Sequence, residues 1–203
     1  MKLLNVGCGG QRPQDEHWIN LDTLRTQLAV GTPERINLDK ESNYVECDLL
    51  TQSIPFPDEH FDGILLQHVL EHFTCHEAVT VLLSCRAVLK HGGLLVASVP
   101  DASYFLDVHD EDTKENAVRL FGEPIHDEGH ETFFSYALFR HDHKQILNYD
   151  SLCCLLIRSG FKDEDISRWH SADLVDKEIN LHLNRQQFSA DGSATAVARS
   201  PVS

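Results

Sequence analysis

Gly7-Cys8-Gly9-Gly10 follows directly on the apolar run Leu3-Leu4-Asn5-Val6. Glycines at that point let backbone approach a ligand closely and aim helix-terminal N–H groups at it. Two acids follow in order, each closing a short apolar run: Asp22 after Trp18-Ile19-Asn20-Leu21, and Asp48 after Tyr44-Val45-Glu46-Cys47. The first can accept both hydroxyls of a ribose, and the second can accept an adenine amino group. Pro100-Asp101 closes a further run, Leu94–Val99. A glycine turn and three acids at successive strand ends are the equipment of a nucleotide site at the carboxyl edge of an open sheet.

Strands alternating with helices must set those positions. Lys2–Val6, Trp18–Asp22, Tyr44–Leu49, Phe61–His68 and Leu94–Val99 are short apolar runs of the kind buried parallel strands carry. Residues 23–43 have no clean period and contain Gly31-Thr32-Pro33, so a loop with a helical turn at most is expected. His76–Leu89 carries apolar residues at helical spacing and stops at His91-Gly92-Gly93. Asp150 reads as the cap of a helix over Ser151–Ser159, with Gly160 as its stop. Phe161–Trp169 and Phe188–Arg199 read as closing strands, the latter with alternating Ala194, Ala196 and Ala198. The whole predicts an α/β fold on a mostly parallel sheet.

The chain has 203 residues, a length suited to one domain. Hydrophobic residues are 41% and charged residues 24%, which excludes an intrinsically disordered chain. Lys+Arg number 17 against 32 Asp+Glu, for a net charge of −15, and no basic run appears. Phosphate backbones and anionic lipid repel such a surface, so neither nucleic acid nor membrane is expected as a partner. No apolar stretch reaches the roughly 20 residues that span a bilayer, and no signal-like run precedes the first glycines. The six cysteines lack CxxC spacing and read as small core residues in a reducing, cytoplasmic setting.

Together these segments resemble the class I S-adenosylmethionine-dependent methyltransferases. The resemblance rests on Leu4–Gly10, Asn20-Leu21-Asp22 and Cys47-Asp48-Leu49, then on Ile54–Asp62, His68–Phe73 and Ala87–Gly93. It covers residues 1–101 well and continues loosely through 148–161. It implies a Rossmann-like fold, a seven-stranded, mostly parallel sheet ending in an antiparallel hairpin. It also implies a single domain over 1–203: a cofactor half (1–101), a His-rich acceptor-side insertion (102–150), and a closing helix and hairpin (151–203). By the same resemblance Asn5, Gly7, Cys8 and Gly9 lie under the amino-acid end of S-adenosylmethionine and Asp22 holds its ribose. Asp48 with Leu49 meets the adenine, and Gln67, His68 and Val69 face the methionine. Gln11 replaces the family's third glycine, His91 replaces its proline before Gly92-Gly93, and only positions 10–21 separate Gly9 from Asp22. That short crossover is similar to a compact bacterial subgroup, type 11-like, associated with sugars and other small acceptors.

Methyl transfer from a sulfonium is an in-line displacement, in which positioning carries much of the barrier reduction. An oxygen or nitrogen acceptor also benefits from a base. The acceptor-side segment holds His109, His126, Asp127, Glu128, His130, His141, Asp142 and His143. His130, His141 and His143 are the candidate bases, and His141-Asp142-His143 puts both rings on one side if extended. A polar surface loop is the competing reading, and these spacings give no defensible metal motif, so no metal ligand is assigned. Glu71-His72 reads as a structural pair at a helix start. The expected activity is methyl transfer to a small acceptor by a monomer or homodimer. Its rivals are a non-catalytic methyltransferase-like subunit, a metal-dependent enzyme using the His-rich segment, and a nicotinamide dehydrogenase, which Arg12 in place of a third glycine disfavours.

Overall fold

The fold is described from a computed structural model covering residues 1–9, 16–23, 43–103, 142–169 and 193–201. Seven strands are present: β1 (Leu3–Val6), β2 (Trp18–Asp22), β3 (Tyr44–Glu46), β4 (Phe61–Gln67), β5 (Leu89–Pro100), β6 (Ile166–Arg168) and β7 (Ser193–Arg199). They form one sheet in the order β3-β2-β1-β4-β5-β7-β6. β1 to β5 run parallel, while β7 lies antiparallel between β5 and β6. The mostly parallel sheet with an antiparallel closing pair is therefore as expected from sequence.

The apolar runs are continuous because the central strands are buried on both faces. Leu4, Val6, Leu21, Ile64, Leu66, Leu95 and Ala97 point to one face, where α1 (Cys75–Val88) and α2 (Tyr149–Arg158) cover them. Ala78, Val81, Leu82 and Cys85 come from α1, and Leu152, Leu155 and Leu156 from α2. The intervening residues Leu3, Trp18, Leu65, Leu94 and Val96 form a second cluster on the other face, with Met1 and Trp169 packed at its margin. Ala194, Ala196 and Ala198 are buried in the first cluster, where small side chains let α2 approach β7.

Several boundaries differ from the sequence reading. Helix α1 begins at Cys75 because Thr74 and Glu77 form a reciprocal capping box. It ends at Val88, before the glycines: Leu89 is already extended and pairs with Phe61. Gly92 and Gly93 instead sit in a bulge of β5, since the pairing moves from Phe61↔Leu89 to Gly63↔Leu94. Asn148, not Asp150, caps α2, its side chain accepting from the Ser151 N–H at 3.0 Å. β3 stops at Glu46 and β4 at Gln67, leaving Cys47–Leu49 and His68 on turns beyond them. β6 is confined to three residues. Cys75 and Cys154 are exposed, so not every cysteine is a core residue. The first crossover (10–15), most of the 23–43 loop, and His109, His126, Asp127, Glu128, His130 and His141 lie outside the described residues.

Candidate functional site

Parallel strands bring their carboxyl ends to one edge. β1 pairs with β2 on one side and with β4 on the other, so the crevice of this sheet opens between the turns that leave β1 and β4. Gly7 has φ of +64° and Gly9 of +50°. A Cβ at Gly7 would stand 2.6 Å from Cγ2 of Val69, which leaves β4, so the two turns touch only because Gly7 has no side chain. Gly7 and Cys8 donate their N–H groups to the Leu21 carbonyl, at 2.8 and 3.2 Å. Gly9 N–H donates to Asp22 Oδ2 at 2.8 Å, and Thr23 N–H donates to Oδ1 at 2.7 Å. Those bonds fix the carboxylate at the strand end. Oδ1 accepts from the Thr23 hydroxyl as well, at 3.3 Å, so the spare acceptor capacity of the carboxylate lies on Oδ2.

Asp48 lies beyond β3 on an exposed turn. Its Oδ1 accepts from Leu50 N–H at 3.0 Å and its Oδ2 from the Thr51 hydroxyl at 2.9 Å. These bonds hold its carboxyl below the usual range. Asp48 thus builds its own turn, and next to it Leu49 is buried. Asn5 is buried too, its Nδ2 donating to Asn20 Oδ1 at 3.1 Å across β1 and β2. It stiffens the sheet one residue below the glycine turn. Cys8 is buried between the glycines. His68 has φ of +53°, a region that non-glycine residues seldom adopt, and its N–H is held by the Ser98 carbonyl at 2.9 Å. That conformation turns the chain off the β4 edge, with Gln67 half-buried before it and Val69 buried after it.

A second group gathers immediately beyond. Leu70–His72 forms a 3₁₀ turn, and the segment carrying His143 is bonded to it. Lys144 and Gln145 donate their N–H groups to the Glu71 carbonyl at 2.8 and 3.3 Å, and Gln145 Nε2 donates to the Leu70 carbonyl at 3.0 Å. The His72 and His143 rings meet edge to face, with centroids 4.9 Å apart. Asp142 has φ of +57°, so the residue before His143 is not extended. Of the three candidate bases, His143 is the one within the described residues, and it stands beside Glu71 and His72. Their gathering was missed in sequence because the contact joins segments about seventy residues apart.

Residues 4–97 match the family model described as a methyltransferase domain. Residues 4–97 resemble a methyltransferase domain. That match agrees with the resemblance to class I S-adenosylmethionine-dependent methyltransferases read in the sequence. The fold is shared with an S-adenosylmethionine-dependent methyltransferase of Archaeoglobus fulgidus. That match has TM-score 0.55 and 18% identity over 98% of this chain and 85% of the other. It is shared as well with a methyltransferase of Thermotoga maritima described as a possible histamine N-methyltransferase (TM-score 0.55, 15% identity, 98% and 81% covered). Human N-acetylserotonin methyltransferase in complex with its methyl donor also matches (TM-score 0.56, 14% identity). The chain spans about half of that enzyme's length, 47%, with 98% of itself covered. No curated protein matches the sequence.

The residues at this edge suit a nucleotide donor of the kind the resemblance implies. Gly7 packs on Val69 without a side chain, and the Asp22 carboxylate fixed at the same edge keeps acceptor capacity on Oδ2 for a ribose hydroxyl. Among the described residues, no helix is long and apolar enough to cross a membrane.

Proposed function

We propose that this methyltransferase moves the donor's methyl group to an oxygen or nitrogen of a small acceptor, a sugar being one such class. The observation that carries the reading is Asp22, locked by the Gly9 and Thr23 N–H groups at the mouth of the crevice. In this reading Asp22 accepts a ribose hydroxyl, while Asp48 and Leu49 flank the adenine. Gly7, Cys8 and Gly9 admit the amino-acid end, Asn5 supports them from below, and Gln67, His68 and Val69 line the methionine side. S-adenosylmethionine supplies an electrophilic methyl on sulfur. The protein's task is to hold the acceptor in line with it and take up the acceptor's proton. His130, His141 and His143 of the 102–150 segment serve that acceptor side, within one domain of residues 1–203.

Calorimetric titration with S-adenosylmethionine and S-adenosylhomocysteine, with NAD as control, tests the reading. Micromolar binding of both sulfur nucleotides and none of NAD is expected. Asp22→Ala is expected to weaken binding by about 1–3 kcal/mol through loss of charge-assisted hydrogen bonds. Unchanged affinity in that variant removes Asp22 from the site, and no binding by the unaltered protein removes the activity.

A further inference from the structure

We propose that Glu71, His72 and His143 bind a divalent transition-metal cation of the zinc or manganese class. One ligand atom from each residue lies within 4.8 Å of those of the other two. Glu71 is 1% exposed, and neither carboxylate oxygen accepts a hydrogen bond from the described residues. The nearest basic nitrogen is His68 Nδ1, 3.3 Å from Oε1, on a side chain 42% exposed. A buried carboxylate left without a hydrogen-bond partner is costly unless a cation compensates it. Here the missing compensation faces two imidazoles, the donor set that selects first-row metals over magnesium or calcium.

The frame around the cluster is fixed. The two N–H bonds from Lys144 and Gln145 clamp His143's segment to the Glu71 carbonyl. Lys144 Nζ bridges to Glu77 at 3.3 Å, and Asn148 caps α2 a few residues on. A metal with ligand bonds of about 2.0–2.2 Å places its ligand atoms roughly 3.4 Å apart, a distance reached by side-chain rotation on that frame. Three protein ligands also leave positions open, as catalytic rather than structural metal sites do.

The site begins just after Val69, which packs on Gly7, so the cation would stand one turn from the methyl-donor crevice. This role in turnover rests on the methyl-transfer reading above; the binding itself does not. An acceptor hydroxyl on an open position would lose its proton more readily, that proton passing to water. The oxygen would then form its bond to the methyl carbon as the carbon–sulfur bond breaks. The electron pair of that bond stays on sulfur, giving the neutral thioether. His143 would then be a ligand, not a base, and the acceptor class narrows to compounds offering an oxygen.

The test uses full-length protein stripped with a chelator and titrated with Co²⁺, read by visible absorption, and with Zn²⁺ by calorimetry. One equivalent is expected, with affinity falling at least about tenfold in each of His72→Ala, His143→Ala and Glu71→Gln. Circular dichroism and thermal melting report whether each variant folds, and the two histidine variants keep the test valid if Glu71→Gln does not. Because 13 histidines are present, adventitious binding is separated by the variants. Absence of Co²⁺ bands, or affinity unchanged in both folded histidine variants, overturns the site. Parallel titration with S-adenosylmethionine keeps the two proposals apart: metal without nucleotide binding sinks the methyl-transfer reading alone, and the reverse sinks only this one.

Discussion

At the scale of single residues, Gly7 has little freedom to change. Its φ of +64° already disfavours a side chain, and a Cβ would overlap Val69 Cγ2. Gly7→Ala is expected to destabilise the fold by about 2–4 kcal/mol, the sum of the left-handed backbone penalty and an overpacked contact. Val69→Ala should relieve the second part only, so a double-mutant cycle followed by denaturant unfolding should show favourable coupling. Additive single effects would mean that the two turns are not in contact. The placing of Gly7, Gly9 and Asp22 at one sheet edge was legible in the sequence because it depends on local order: a strand, a tight turn, the end of the next strand. Asp48 was legible as a strand-end acid, yet its oxygens serve Leu50 and Thr51, a turn function equally available to such a residue. Glu71, His72 and His143 were illegible as a group, since a main-chain bond from Lys144 to the Glu71 carbonyl, not spacing, brings them together.

At the scale of elements, helix ends were misread where tertiary pairing overrode local signals. Gly92-Gly93 has the composition of a helix stop, but pairing of Leu89 with Phe61 ends α1 earlier and turns the glycines into a bulge. Asp150 and Asn148 are both good caps by type, and Asn148 prevails because Ser151 answers it: the Asn148 N–H donates to the Ser151 hydroxyl at 2.7 Å. Asn148→Ala is expected to cost about 0.5–2 kcal/mol in denaturant unfolding. The same cap anchors the end of the segment that carries His143, where Ala102 N–H bonds the Leu147 carbonyl at 2.8 Å. The variant should therefore also weaken Zn²⁺ binding while leaving S-adenosylmethionine affinity intact. A loss of nucleotide affinity with unchanged Zn²⁺ binding would contradict this coupling. At the other end of α2, Gly160 has φ of +90°, and the Arg86 side chain fills the space a Cβ would need, its Nη1 donating to the Ser159 carbonyl at 3.0 Å. α1 and α2 are thereby tied beneath the edge they both serve.

At the scale of the whole molecule, the sheet separates its two edges by task. The carboxyl ends carry the glycine turn, Asp22 and the Glu71 cluster, while the amino ends of β1, β4 and β5 carry Lys2, His60, Asp62 and Lys90. Lys90 Nζ lies 2.6 Å from Asp62 Oδ1, the Lys2 N–H donates to Asp62 Oδ2 at 2.7 Å, and Lys2 Nζ approaches His60 Nε2 at 3.2 Å. Burial raises the Asp62 pKa, but the bonds from Lys90 and Lys2 outweigh it and hold the carboxyl below its ordinary range. Burial and the charges of Lys2 and Lys90 lower the His60 pKa from 6.5, outweighing the opposing charge of Asp62. Both shifts act in one direction. Below about pH 6.5 the unfolded chain takes up a proton that folded His60 resists, and at lower pH protonation of Asp62 removes its gain. With the general repulsion of a −15 chain screened at about 1 M salt, stability should fall in two stages, one starting near pH 6.5 and one below about pH 4. His60→Gln should remove the first stage and leave S-adenosylmethionine affinity unchanged, because His60 stands at the edge away from the crevice. Denaturant midpoints between pH 7 and 5 measure it. A wild type that gains stability relative to His60→Gln on acidification would show the opposite sign and place a compensating anion, not two lysines, against that ring.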